Sequence, residues 1–323
     1  MFILLAWPPS LTAASDMVTI PSPACIDLPA LSTDEAKRQR VLEAGEGRFL
    51  IGYGRVVSSA LGGWATPGCW HRLSEGRQRC VLQLTSPGAE GLRLGLRIVA
   101  LPDGAQLRFQ GAGESSPIAV SAAEINAGLA ADEDAGSARI FWSPVTTGEA
   151  VTLKVVIPAD TDPGRLRISV PVISHLFRLP WMEHASEVDD AGCHQDVACH
   201  DSWEQLSRAT ALLLFTEPSG DTGGCTGTLL ADADPSTKIP YVLTAHHCIS
   251  NQAKASSIES LWLYRSLECD GPSKQVRWVR GGADLLHATK TTDTSLVRLR
   301  QPVPEGVTFA EWSPELPVEA EPV

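Results

Sequence analysis

The stretch Tyr241-Val242-Leu243-Thr244-Ala245-His246-His247-Cys248 decides how the chain is read. Tyr-Val-Leu follows a polar loop and reads as a short buried strand. Thr-Ala-His-His-Cys reads as the turn that leaves it. Upstream stands Cys225-Thr-Gly-Thr-Leu-Leu230, another apolar run. A Cys225–Cys248 bridge would close a loop of about two dozen residues, worth roughly 3 to 3.5 kcal/mol on the chain-entropy argument. It would also pin a histidine at a strand end. A general base needs that fixity, because its ring must reach the proton it removes.

Downstream, Thr291-Thr292-Asp293-Thr294-Ser295-Leu296-Val297-Arg298-Leu299 carries an aspartate into a strand whose Val297 and Leu299 alternate with Arg298 and Arg300. A carboxylate at a strand start can accept the second N–H of an imidazole, setting its tautomer and stabilising the imidazolium formed in acyl transfer. Together, CTGTLL…YVLTAHHC…TTDTSLVRL resembles the first half of a trypsin-like (chymotrypsin-fold) serine protease. More narrowly, it is similar to the bacterial lysyl endopeptidase group, whose mature N-terminal segment Cys193-His-Gln-Asp-Val-Ala-Cys199 also resembles. The resemblance implies His247 as base, Asp293 as its orienting partner, and His246 beside the site without a triad role. It implies the bridges Cys225–Cys248 and Cys199–Cys269, and leaves Cys25 and Cys193 over, either unpaired or pairing adventitiously. It implies protein or peptide substrates, no metal and no organic cofactor, and basic residues at the cleaved position.

The chain departs from the pattern after Asp293. The family's nucleophilic serine lies in a Gly-x-Ser-Gly loop of a second barrel. Ser295 falls inside a strand, and Ser313 precedes a proline. Gly220-Asp221-Thr222-Gly223-Gly224 imitates the serine loop with threonine, but it precedes the histidine and reads as a hairpin tip leading into Cys225. The expectation is a chain truncated before its nucleophile and inactive by itself. The alternative is a secreted, non-catalytic β-rich binding protein built on a degenerate protease half. Zinc is disfavoured: Cys193-His194…Cys199-His200 lacks usual ligand spacing.

Working toward the N-terminus, residues 21–180 read as a β-sandwich-like pro-domain. Leu92, Leu94, Leu96 and Ile98 alternate with Arg93, Gly95 and Arg97. Val151, Leu153, Val155 and Ile157 repeat the period of two, as do Leu166, Ile168 and Val170. Turns are expected at Leu101-Pro-Asp-Gly104 and Thr146-Thr-Gly-Glu149. Cys69 and Cys80 are close enough to staple a hairpin. Trp64, Trp70 and Trp142 read as core anchors, and His71 and His175 as structural. Residues 181–192 read as an acidic linker and 193–323 as a partial protease domain holding one six-stranded barrel. The fold class expected is all-β, and the N-terminal domain is expected to pack on the protease domain.

Composition agrees with an extracytoplasmic setting. Eight cysteines without a CxxC pair favour disulfides over metal or redox chemistry. Residues 1–20 read as a signal-peptide remnant or an unstructured tail, because the basic n-region is missing and Pro8-Pro9 interrupt the apolar run. A net charge of −12 without a basic run excludes nucleic acid as the main partner, and no apolar stretch reaches a membrane span.

Overall fold

The alternating segments become strands. A computed structural model describes residues 24–43, 49–57, 69–134, 140–182, 195–234, 236–271 and 274–313. The expected signal-peptide remnant, linker residues 183–192, Trp64 and Cys193 lie outside the described residues. In chain order, the N-terminal region runs β1 (Ala24–Asp27), α1 (Thr33–Glu43), β2 (Phe49–Val56), β3 (His71–Arg72), β4 (Gln78–Thr85) and β5 (Gly91–Ala100). It continues with β6 (Gln106–Gly111), β7 (Ile118–Ser121), α2 (Ala122–Asp134), β8 (Ile140–Trp142), β9 (Thr146–Thr147), β10 (Ala150–Ile157) and β11 (Arg167–Leu176). One sheet is ordered β1-β4-β10-β6-β7, and a second contains β2-β11-β5-β8. Their facing apolar positions form one core: Leu82 and Leu84, Leu107 and Phe109, and Leu153 and Val155 meet Leu92, Leu94, Leu96 and Ile168. Each such side chain contributes about 1.5–3 kcal/mol by leaving water. Trp142 is buried and Trp70 packs against this core, while Cys69 and Cys80 are bonded across the β3–β4 hairpin.

Two helices interrupt the all-β reading without changing the class. Both begin with a capping box, Ser32-x-x-Glu35 and Ser121-x-x-Glu124. In each, serine Oγ accepts the glutamate N–H at 3.2 Å while the glutamate carboxylate accepts the serine N–H. Ile125 and Leu129 of α2 insert into the sandwich core.

The C-terminal region runs α3 (Glu204–Ser207), β12 (Thr210–Thr216), β13 (Thr222–Leu230), β14 (Tyr241–Thr244), α4 (Gln252–Ser256), β15 (Glu259–Ser266), β16 (Lys274–Val279), β17 (Ala283–Thr289) and β18 (Thr294–Leu299). Pairing runs β16-β15-β12-β13-β14-β18-β17. The two ends of this path are consecutive in sequence, separated only by Arg280-Gly281-Gly282, so β16 and β17 are one strand bent to close a six-stranded barrel. Glycine is required at the bend: Gly282 has φ +75°, and a Cβ there would lie 2.3 Å from the Ser256 carbonyl oxygen. Leu213, Leu229, Val242, Trp262 and Val297 fill the interior.

The second sheet does not stop at the region boundary, because β2 pairs with β13. A small apolar cluster, including Ile51, Leu176, Leu179, Leu214 and Leu261, lies along this seam. Strand β5 was expected to bury one face; from Gly91 to Leu96 it buries both. Arg93, on the second face, is 2 % exposed. It donates to the Ser143 carbonyl at 2.8 Å, to Thr216 Oγ1 at 2.8 Å and to the Ser257 carbonyl at 2.7 Å. Farther along the seam, Arg300 reaches Asp132 of α2 at 3.2 Å.

His175 is fully buried on β11, opposite Tyr53 of β2 and Leu92 of β5. Arg55 Nη1 donates to Ser86 Oγ at 2.8 Å, which leaves the Ser86 hydroxyl to donate to His175 Nδ1, also at 2.8 Å. The ring therefore carries its proton on Nε2, which has no acceptor among the described residues. The charged and titratable groups around it are Arg55 and Tyr53 on β2, and Glu35, which is paired to Arg55, on α1. Burial, assisted by the Arg55 charge, holds the imidazole down to about 4. The sign follows: between about 6.5 and 4 the unfolded chain takes up a proton that the folded chain refuses, so stability falls as pH drops through that window. Relative to His175→Gln, the chain should lose on the order of 2–3 kcal/mol between pH 7 and pH 4 in urea melts. A stability difference that stays constant across that range would contradict this reading.

Candidate active site

Strand β14 is held on both sides, Val242 lying opposite Leu229 of β13 and Val297 of β18. It ends when Thr244 turns its hydroxyl onto the Thr226 carbonyl at 2.9 Å. The next residues coil into a turn in which the Cys248 and Ile249 N–H groups both reach the Ala245 carbonyl. The Cys225–Cys248 disulfide anchors that turn to β13. His247 stands out from it, with its side chain 54 % exposed.

Asp293 comes from the turn that precedes β18. Its φ of +50° is left-handed, a conformation Asp tolerates better than most residues. That geometry aims three acceptors at one target. Oδ2 lies 2.6 Å from His247 Nδ1, Oδ1 accepts the His247 N–H at 2.9 Å, and the backbone carbonyl accepts the His246 N–H at 3.1 Å. The bonds from the His247 ring and backbone hold the Asp293 carboxyl below the usual carboxylate range. An ionised Asp293 keeps the Nδ1 proton between them, so Nε2 presents a lone pair outward. Chemically, the arrangement suits an oriented, solvent-facing base.

Sequence reasoning overlooked two supports. Ser295 is fully buried and donates to the Ile249 carbonyl at 2.6 Å, tying the strand of Asp293 to the turn of His247. A hydroxyl on the apolar face Ser295-x-Val297-x-Leu299 was the available signal. The backbone carbonyl of Asp293 leaves no mark in sequence. Thr222 is buried between Ser174 Oγ at 2.7 Å and Thr216 Oγ1 at 2.9 Å, remote in role from a nucleophile at a glycine-rich turn. His246 contributes its backbone N–H to Asp293 and is partly exposed. His247 lies close to the sulfurs of Cys225 and Cys248, but these are bonded to each other and offer no thiolate to a metal. Cys199 is bonded to Cys269, so each of the three bridges among the described residues lies within one region. Cys25 sits on β1 with its side chain at the surface.

The lysyl endopeptidase N-terminal domain family matches residues 27–177, and the lysyl endopeptidase C-terminal domain family matches residues 188–322. A lysyl endopeptidase of Pseudomonas aeruginosa is 32 % identical over 263 residues, 76 % of this chain. The chain belongs to the lysyl endopeptidase family. It spans about half the length of that curated relative, 54 %. Lysyl endopeptidase membership and three disulfides fit an oxidising, extracytoplasmic setting. Among the described residues, no helix is long and apolar enough to cross a membrane.

Proposed function

We propose that this chain is the base-bearing portion of a secreted serine endopeptidase precursor. The observation that carries the reading is the three-point hold of Asp293 on the His246–His247 turn, which leaves Nε2 outward. In the reaction, His247 takes the proton of a serine hydroxyl as that oxygen attacks the scissile carbonyl. It then gives the proton to the leaving amine, and the acyl-enzyme is hydrolysed by water activated through the same ring. Asp293 stays ionised throughout and stabilises the imidazolium. In this fold the serine and its oxyanion hole are supplied by a second barrel. Substrates are proteins or peptides, cut after lysine by kinship with the Pseudomonas enzyme.

Residues 21–180 are read as a pro-domain, 181–192 as the linker where processing separates it, and 193–323 as the partial protease domain. The pro-domain packs on the barrel as a folding partner or inhibitor, a role supported by the pairing of β2 with β13.

The test is hydrolysis of a lysyl ester by the purified chain and by the product of its coding frame read past the Val323 codon. The longer product should turn over the ester and lose activity on His247→Ala, while the shorter stays at the buffer rate. Activity in the short chain that His247→Ala abolishes would overturn the division of the triad. A longer product with no Gly-x-Ser-Gly loop and no turnover would overturn the enzyme reading itself.

A further inference from the structure

Where α2 faces the barrel, the two regions stand apart. A cleft of about 570 Å³ lies between α2, β7 and β8 on one side and α4, the β16–β17 bend and Arg300 on the other. That volume, at a junction of two regions, is in the range that holds small ligands. The wall given by the N-terminal region is apolar: Ile118 and Val120 of β7, Ala123 and Ala127 of α2, Phe141 of β8, and Pro144. Ala123 and Ala127 stay exposed, and Ile118, Val120 and Phe141 are only half-buried. Apolar side chains line the space without filling it.

The two charged ends of the cleft differ. At one end Arg300 is held by two carboxylates. Its Nε donates to Asp284 Oδ1 at 2.8 Å, and its Nη2 reaches Asp132 Oδ1 at 3.2 Å and Ser256 Oγ at 3.0 Å. At the other end, among the described residues, Arg93 and Arg280 share the carboxylate of Glu259. They stand 4.0 Å and 3.7 Å from it, beyond hydrogen-bond reach. Arg93 spends its N–H groups on the Ser143 and Ser257 carbonyls and on Thr216 Oγ1. Arg280 is left with less. Its Nε is buried and meets no hydrogen-bond acceptor among the described residues, while its guanidinium lies over the Trp278 ring at 4.7 Å. Two cations against one anion give this end a surplus positive charge. A guanidinium so placed is suited to a further carboxylate, which it can hold through two N–H groups.

We propose that the cleft binds a medium-chain alkyl carboxylate, with its head on Arg280 and its chain along the wall of α2, β7 and β8. An uncharged amphiphile would leave Arg280 Nε unmatched, and a cationic one would add to the surplus charge. The walls come from both regions, so the ligand touches both at once. Binding therefore stabilises the joined chain over any state in which this part of the seam is open.

The experiment titrates the full chain with sodium decanoate in a calorimeter, with decanol and decylamine as probes of equal length. Decanoate should bind once per chain, about tenfold or more tighter than either, as expected for a charge-assisted hydrogen bond. Arg280→Gln should remove that advantage and leave the affinity for decanol unchanged. Ala127→Phe puts a ring into the cleft from an exposed helix position, and should abolish decanoate binding with a melting temperature near wild type. Should Arg280→Gln fail to fold, the three probes on the wild type and Ala127→Phe still decide, since neither disturbs Glu259. Decanol binding as tightly as decanoate would overturn the carboxylate head. Decanoate binding that survives Ala127→Phe would overturn the location, and no binding up to about 1 mM would overturn the site. Because no turnover is read, the result is independent of the roles given to His247 and Asp293.

Discussion

Replacing Asp293 by asparagine should lower kcat about 10⁴-fold in the serine-bearing form of the enzyme, with little change in fold. The reason lies in the two separate acceptors of this carboxylate. Oδ1 is committed to the His247 backbone N–H at 2.9 Å, so the amide oxygen would remain there. The amide NH₂ would then face Nδ1, which must become an acceptor and move its proton to Nε2. A ring with Nε2 protonated cannot take the serine proton. The loss should fall on kcat far more than on KM, since Asp293 acts through the His247 ring it holds. Circular dichroism and melting should stay near wild type, because both residues are more than half exposed. A kcat within tenfold of wild type would mean that this pair is not the acid–base machinery.

The second large effect concerns Arg93. Arg93→Ala should destabilise the chain by about 3–5 kcal/mol, the range for removing one member of a buried charged network. Three acceptors would lose their donor in a dry place: the Ser143 carbonyl, Thr216 Oγ1 and the Ser257 carbonyl. Glu259, 2 % exposed, would lose one of the two guanidinia near it, retaining only Arg280. Burial itself lowers the Arg93 pKa, with the Glu259 charge opposing. A Tm drop on the order of 10 °C is expected for a chain of this size. The drop should come with early opening of the seam, read as amide exchange at Leu214 and Leu261 rising before that of the sandwich core. A shift of a degree or two would mean that water readily replaces the guanidinium.

Much of this was legible beforehand, for identifiable reasons. The apolar alternation at Leu92–Ile98 and Val151–Ile157 marked strands because a sheet face repeats every second residue. The His247 turn was legible because Ala245-His246-His247-Cys248, with Cys225 upstream and Asp293 downstream, together resemble a trypsin-like protease pattern. Helix α2 was missed although Ser121-x-x-Glu124 announced it: the Ala-rich run that follows has little amphipathic contrast, so no period of 3.6 stood out. Arg93 was read as the solvent side of an alternating strand. Alternation tells which residues share a face, and it is silent on whether a second layer covers the other face. The left-handed backbone of Asp293 and the pairing of β2 with β13 are likewise products of tertiary context, written in no local pattern.

The placement of the three disulfides bears on what a single cut would do. Cys69–Cys80 lies wholly in the first region, and Cys199–Cys269 and Cys225–Cys248 lie wholly in the second. None of these bridges spans the seam. While the backbone is continuous, each part meets the other at an effective concentration in the millimolar range typical of short tethers. After a cut between residues 182 and 195, none of these three bridges would join the two regions. As far as these three bridges go, the hold between the regions then falls to the non-covalent seam of β2 on β13.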